Sequence, residues 1–243
     1  MIPWLVAYAV LIVATVGALL FVRAPYGRHV RSGWGPSLPA RWGWVLMESP
    51  SALGILPLFL VNRPAGIVPW VLLAIWLAHY GQRTFVFPFL MRGRPMPLSV
   101  VGLGFSFNVF NVWVQARWLT TWSSYETSWL LDPRFLVGVG IFVAGMVINL
   151  RSDHILRHLR APGERGYRIP RGFLFRWVSC PNYLGEALEW FGWALLTWSP
   201  TGLCFALYTL ANLGPRAVQN HRWYHEQFDD YPQERRALVP FIL

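Results

Sequence analysis

Seven apolar runs divide the chain, with polar segments between them. A hydrocarbon core of about 30 Å takes roughly 20 helical residues to cross. Residues 2–22 carry no charge up to that length and form the first candidate span. The others lie at about 44–61, 66–90, 98–119, 135–150, 182–198 and 202–218. The first run lacks a basic leading segment and a small-residue cleavage site, so it reads as a span and not as a secretory leader. The pattern predicts an all-α integral membrane protein with seven transmembrane helices. The longest polar segment, residues 151–181, contains Pro162, Gly163, Gly166, Pro170, Gly172 and Pro181. It is expected to be a loop after a short helical extension.

Charge placement orients these helices. All 21 basic residues are Arg. The first, third and fifth inter-span segments and the tail hold Arg23, Arg28, Arg31, Arg41, Arg92, Arg94, Arg151, Arg157, Arg160, Arg165, Arg168, Arg171, Arg176, Arg222, Arg235 and Arg236. The opposite side holds Arg63 and Arg134. Basic residues collect on the cytoplasmic side of membrane proteins. The C-terminus is therefore expected in the cytoplasm and the N-terminus outside, which requires an odd number of spans.

Composition agrees. Hydrophobic residues make up 55% of the chain and charged ones 13%, about half the share in soluble domains. A net charge of +10 placed in short loops points to lipid head groups or a phosphate-bearing ligand, not to nucleic acid. Most of the 15 Trp are expected as interfacial anchors. Cys180 and Cys204 read as two unpaired thiols, and no metal-ligand spacing occurs.

Polar groups inside the spans carry the chemistry, because an ionisable side chain at membrane depth costs several kcal/mol unless paired or hydrated. Glu48 lies near the start of the second span. Tyr80, Arg83 and Thr84 lie in the third. Glu48 reads equally as an ion-pair partner of Arg83 or as a reacting group. At the cytoplasmic ends three helical stripes appear: Asn149, Asp153, Arg157 and Arg160; Asn182, Glu186 and Glu189; and Arg216, Asn220 and Tyr224. One such stripe is commonly interhelical glue. Three on the side bearing the arginine-rich loop suggest the walls of a polar cavity. The loop itself reads as a topology signal or as a phosphate clamp, since the guanidinium fork matches phosphate oxygens.

The segments GYRIPRGFLFRWVSCPNYLGEALEWFGWALLTWSP and LGPRAVQNHRWYHEQFDDYPQERRALVPFIL resemble the C-terminal half of the steroid 5-alpha-reductases, the membrane 3-oxo-5-alpha-steroid 4-dehydrogenases. The resemblance continues upstream in INLRSDHILRHLR, HYGQRTFVFPFLMRGRP, PYGRHV and LPARWGWVLMESPS, so it covers nearly all of the chain after the first span. It implies a single membrane-embedded reductase domain over residues 1–243. The substrate pocket would come mainly from helices one to four. The NADPH site would come mainly from helices five to seven and the 151–181 loop.

Residue by residue, the resemblance places the cofactor on Tyr26, Arg94, Asn149, Asp153, Arg160, Tyr167, Arg168, Asn182, Glu186, Arg216, Asn220 and Tyr224. It places the substrate carbonyl on Glu48 and Tyr80, with Trp44 and Met47 beside it. Compared with the animal members, Met47 stands where they have Gln, Met91 where they have Asn, and Asn220 where they have His. The implied reaction is NADPH-dependent reduction of the C4–C5 double bond of a 3-oxo-4-ene steroid, with the cofactor approaching from the cytoplasm. Addition at the β carbon drives negative charge onto the ketone oxygen, where Tyr80 and a protonated Glu48 would donate. Burial in an apolar cavity favours that neutral acid. The partners implied are a steroid or steroid-like lipid and membrane lipids, with no obligatory protein partner. The all-Arg composition suggests a bacterial inner membrane as the location, with the endoplasmic reticulum as the location in a eukaryote.

No glycine-rich dinucleotide fingerprint follows a strand, so the cofactor site would be helical and not a Rossmann site. Three other readings remain. A related enone or enoyl lipid reductase would share the chemistry. An isoprenylcysteine-type membrane methyltransferase would bind S-adenosylmethionine but would not need Glu48, Tyr80 and RGRP together. A transporter or scaffold would spread its polar residues through both leaflets.

Overall fold

Proline and glycine mark most of the helix ends. The structure is a computed structural model that describes residues 1–161, 164 and 166–243. Pro162, Gly163 and Arg165 of the expected loop lie outside the described residues. The regular structure of the described residues is helical apart from a two-residue antiparallel ladder, β1 (Ser37–Leu38) on β2 (Met96–Pro97), and one isolated parallel bridge between Val178 and Arg236. The helices are α1 (Ile2–Phe21), α2 (Ala40–Leu53), α3 (Ile55–Asn62), α4 (Val68–Gly81), α5 (Phe87–Leu90), α6 (Leu98–Arg117), α7 (Pro133–His158), α8 (Pro181–Thr197) and α9 (Pro200–Gln227).

Each of the seven apolar runs is helical, and among the described residues four segments are long and apolar enough to cross a membrane: Ile2–Phe21, Ala40–Asn62, Leu98–Trp122 and Pro133–His158. The other three runs depart from the simple picture for visible reasons. The third is segmented into α4, a π-helical turn at Gln82–Val86, and α5. The 17 residues of α8 rise about 26 Å, short of a full hydrocarbon core. The 28 residues of α9 are apolar only in their first half.

The chain forms two compact units. The first comprises Met1–Leu5 and Ala24–Leu136. Here α2 packs on α6 and contacts α4 and the π turn. Pro50 lies inside α2 and has no N–H to give the Leu46 carbonyl. The Ser49 hydroxyl donates to that oxygen instead, at 2.9 Å. The helix stops three residues after Pro50, and Gly54 N–H donates back to the Pro50 carbonyl. The π turn at Gln82–Val86 ends just before α5, whose Pro88 likewise lacks a donor. Such turns recur where a helix must re-aim side chains at a site.

The second unit comprises Val6–Arg23 and Val137–Leu243. Its centre is a glycine seam joining α7 and α8. A β carbon on Gly185 would sit 2.5 Å from the Asn149 backbone nitrogen, and one on Gly145 would sit 2.6 Å from the Gly185 carbonyl oxygen. Gly192 meets the Phe142 backbone in the same way, and Gly138 meets Leu196. Small residues at this spacing let two backbones touch. After α8, Trp198 takes a left-handed turn. Ser199 then caps α9, its hydroxyl accepting from Gly202 N–H at 2.9 Å. The C-terminal segment returns along the start of α8: Ser179 N–H donates to the Arg236 carbonyl and Cys180 N–H to the Ala237 carbonyl. Cys180, Ala217, Ala237 and Leu238 form a small buried cluster there. Both cysteines are free, as the sequence predicted.

Candidate functional site

In the first unit the expected carbonyl-side residues lie on α2 and α4. Trp76, Tyr80 and Thr84 recur at four-residue spacing and share one stripe. The outer two bond to α2. Trp76 Nε1 donates to the Ser51 carbonyl at 2.8 Å, and Thr84 Oγ1 to the Glu48 carbonyl at 3.5 Å, a long contact. The stripe that carries Tyr80 therefore faces the α2 segment that carries Glu48. Tyr80 is buried, its ring 4.6 Å from that of Trp76 and edge-on to His79. Glu48 is half-buried, and Asn108 Nδ2 donates to its Oε2 at 3.3 Å.

Trp44 packs against Phe87 at 5.3 Å, and the Arg83 guanidinium lies over both rings, 4.8 and 4.4 Å from their centres. That contact keeps a cation stable beside apolar rings. Trp44 Nε1 is buried and finds no hydrogen-bond partner among the described residues. Met47 is half-buried, and a methyl group on Gly104 of α6 would overlap its thioether. Two residues of the expected cofactor set, Tyr26 (half-buried) and Arg94 (exposed), also belong to this unit.

The other ten belong to the second unit. The glycine seam continues into polar residues. Gly145, Asn149 and Asp153 follow one stripe of α7, while Asn182, Gly185 and Glu189 follow one stripe of α8. Close backbone approach brings the polar ends together. Asn149 Nδ2 donates to the Asn182 carbonyl at 3.0 Å, and Asn182 Nδ2 to Asp153 Oδ1 at 3.2 Å. Glu186 is half-buried on the next turn of α8, and Glu189 is buried against Gly145.

From α9, Arg216 Nη2 and Asn220 Nδ2 both donate to the Tyr183 hydroxyl, at 3.0 and 3.5 Å. Two of the three expected stripes are thus joined directly through Asn149, Asn182 and Asp153. The third is joined to α8 through Tyr183. Tyr224 is buried and stacks on Tyr231 at 5.1 Å with planes 7° apart. Tyr231 is held by the Ser179 hydroxyl at 2.6 Å, which also lies 2.7 Å from His221 Nδ1. Burial pushes the His221 imidazole down to about 4, with His225, Arg236 and Arg235 adding to the effect. It is therefore neutral at pH 7.

The loop residues form a second layer. Arg160 Nη1 donates to the Gly166 carbonyl at 2.7 Å, and its guanidinium lies over Tyr167, 5.7 Å from the ring centre. Tyr167 in turn meets Trp223 edge-on at 4.8 Å. Arg168 Nε donates to Glu164 at 2.7 Å. The Ala161 N–H bond holds the Glu164 carboxyl below its ordinary range, helped by Arg168 and Arg160. Two buried donors on α7 find no hydrogen-bond partner among the described residues: Ser152 Oγ and Arg157 Nη1.

Some of these residues were not anticipated. Ser51, Asn108 and Tyr183 join the network although none was expected in the site. Asn108, Asn111 and Gln115 recur at i, i+3 and i+7 on α6. That amide stripe within an apolar span is the signal that would have found Asn108. Tyr183 sits inside the PNYLGE segment, off the stripe of Asn182, Glu186 and Glu189.

Comparison with known proteins covers both units. Residues 94–243 match the family described as 3-oxo-5-alpha-steroid 4-dehydrogenase. A bovine protein named 3-oxo-5-alpha-steroid 4-dehydrogenase 1 is 48% identical over 231 residues, 93% of this chain and 90% of that protein. Its human namesake is 43% identical over 238 residues, 93% and 91%. Steroid 5-alpha-reductase DET2 of Arabidopsis thaliana is 43% identical over 239 residues, 94% and 91%. Identity at this level, over nearly the whole length of each relative, leads to one statement: this chain is a membrane oxidoreductase belonging to the 3-oxo-5-alpha-steroid 4-dehydrogenase family.

Proposed function

We propose that this protein reduces the C4–C5 double bond of 3-oxo-4-ene steroids to the 5-alpha-3-oxosteroid, with NADPH as reductant. The reading rests on the names of its relatives and on one structural observation. The buried Tyr80 stripe faces the Glu48 segment of α2, within apolar surroundings that include Trp44. Seven spans, with the C-terminus and the cofactor-binding helix ends in the cytoplasm, complete it. The four long apolar helices and the arginine bias support that topology.

The residues of the second unit suit a dinucleotide phosphate. Asn149, Asp153, Asn182 and Glu186 offer amide and carboxylate groups to ribose and carboxamide. Arg160, Arg168 and Arg216 offer guanidinium forks to phosphates, and the buried Arg157 Nη1 and Ser152 Oγ add donors without a hydrogen-bond partner among the described residues. Tyr167, Asn220 and Tyr224 of the same unit complete the set. When bound, NADPH supplies a hydride to the β carbon of the enone.

The chain's own residues act at the other end of the conjugated system. As the double bond accepts the hydride, charge moves to the ketone oxygen. Tyr80 O–H and the carboxyl proton of Glu48 donate to that oxygen and stabilise the enolate. Proton transfer of this kind contributes about 10²–10⁴-fold. The saturated ketone forms when the α carbon takes a proton from solvent and the ketone oxygen returns any proton it has received to its donor. Trp44 and Met47 line the apolar slot beside Glu48 and exclude water from it.

The test is product analysis by mass spectrometry. Purified protein in lipid nanodiscs is given NADPH and a panel of 4-ene-3-ketosteroids, non-steroid enones and enoyl thioesters. We expect the 5-alpha product from the ketosteroids. Reduction of the thioesters alone would move the protein to a related enoyl lipid reductase. No reduction, together with thermal stabilisation by S-adenosylmethionine and none by NADPH, would replace reduction with methyl transfer.

A further inference from the structure

Asn108 lies on α6, 6% exposed, within a run that hydropathy alone reads as lipid-spanning. Its side-chain amide makes three contacts with α2. Nδ2 donates to the Met47 carbonyl at 2.8 Å and to Glu48 Oε2 at 3.3 Å, and Oδ1 accepts from the Ser51 hydroxyl at 2.7 Å. Ser51 is fully buried, and its own carbonyl accepts from Trp76 Nε1 on α4.

The orientation of this amide is fixed by chemistry. A backbone carbonyl only accepts, so the amide atom facing Met47 must be the nitrogen. One N–H then serves Met47 and the other points to Glu48. The amide oxygen is left to the Ser51 hydroxyl, which can donate. Turning the amide over would set oxygen against oxygen at Met47, whose carbonyl can only accept.

A neutral carboxyl has one hydroxyl oxygen and one carbonyl oxygen, and the carbonyl oxygen is the better acceptor. A donor committed to Oε2 favours Oε2 as the carbonyl oxygen. We propose that Asn108 is a positioning residue for the reaction: its amide, clamped by Ser51 and Met47, holds Glu48 Oε2 as the acceptor and leaves the transferable proton on Oε1. The inference rests on Glu48 acting as the acid. Trp76, one turn before Tyr80 on α4, anchors the same clamp. One network therefore sets the level of both carbonyl donors.

The experiment combines a kinetic cycle with a spectroscopic readout on the full-length protein. Asn108→Leu keeps the volume and removes the amide. It is measured alone and together with Glu48→Ala. We expect kcat to fall on the order of tenfold in the parental background, the equivalent of one lost hydrogen bond, and less than about twofold when Glu48 is already gone. A residue with a merely structural role would cost the same factor in both backgrounds, and that result would overturn the proposal.

Infrared spectra give the second arm and need no turnover. A protonated-carboxyl C=O band that vanishes in Glu48→Ala should move to higher wavenumber in Asn108→Leu, since the carbonyl oxygen loses its donor. An unmoved band, or no such band in the parental protein, also overturns the proposal. If Asn108→Leu does not fold, Ser51→Ala replaces it in both arms, with an expected loss of about threefold in kcat and a smaller band shift in the same direction. A parental protein that reduces no enone would sink the proposed reaction, while the band would still decide where Asn108 directs the proton.

Discussion

The two units handle polar groups in opposite ways. Around Glu48 and Tyr80 in the first, they are few and buried or half-buried, and the amide of Asn108 is shared among Ser51, Met47 and Glu48. In the second, they are many and sit at helix ends, and most of the arginines reach toward water. Buried groups have no substitute partner in lipid, so each loss is large. Exposed groups share their work with neighbours and solvent, so each loss is small. Effects on the chemical step should therefore come in large units from the first region, and effects on cofactor affinity in small units from the second.

The largest expected effect is at the carbonyl. Glu48→Gln and Tyr80→Phe each should lower kcat by about 10²–10⁴-fold and change the NADPH dissociation constant by less than about twofold. Steady-state kinetics and equilibrium cofactor binding on the same preparations would check this. Parental turnover in both variants would end the assignment of the carbonyl site. Loss of cofactor affinity in parallel with kcat would erase the division between chemistry in one unit and cofactor affinity in the other.

The glycine seam sits between the extremes and sharpens the comparison. It is buried like the first region, yet what it positions is the polar end of the second. A methyl group on Gly185 meets backbone at 2.5 Å, so α7 and α8 must separate. Overpacking of this kind costs about 1–3 kcal/mol. Gly185→Ala should therefore weaken NADPH by roughly 5–100-fold as Asn149, Asn182 and Asp153 lose their register. It should also lower the melting temperature by several degrees. Cofactor titration and thermal melting check both. Normal affinity in a folded variant would show that the three side chains hold each other without the seam.

Much of this was legible in the sequence, and the exceptions have physical causes. Apolar length found the helical runs, and periodicity found the stripes on α7, α8 and α9. What periodicity lacks is knowledge of the neighbour. Tyr183 receives Arg216 and Asn220 from another helix, and nothing along α8 distinguishes it from an interfacial tyrosine. Asn108 was missed because its apolar neighbours outweigh it in a hydropathy sum, although an unpaired amide in lipid costs several kcal/mol. The second run was expected as one span, whereas α2 ends three residues after Pro50. The Ser49 hydroxyl that satisfies Leu46 lies one residue before the proline and would have betrayed the repair. The two π-helical turns, Gln82–Val86 and Trp118–Trp122, leave no mark in composition.

The smallest expected effect lies in the arginine layer. Arg160 and Arg168 are already engaged, with the Gly166 carbonyl and Tyr167 for one and with Glu164 for the other. A cofactor phosphate must compete with these partners, and Glu164 is an ionised carboxylate that gives up Arg168 at a cost. Only the surplus appears as affinity. Arg160→Ala or Arg168→Ala should therefore weaken NADPH by about 3–10-fold near physiological salt, consistent with one exposed charge-assisted contact. The effect should shrink as salt is raised, because exposed charges are screened within a Debye length of roughly 8 Å. Titrations at low and high salt, with NADPH and with NADH, separate the alternatives. Equal losses for both nucleotides would put the arginine on the shared pyrophosphate, and a loss confined to NADPH would put it on the 2′-phosphate. Unchanged affinity in both variants at low salt would remove the arginine layer from the cofactor site and leave it as a determinant of topology alone.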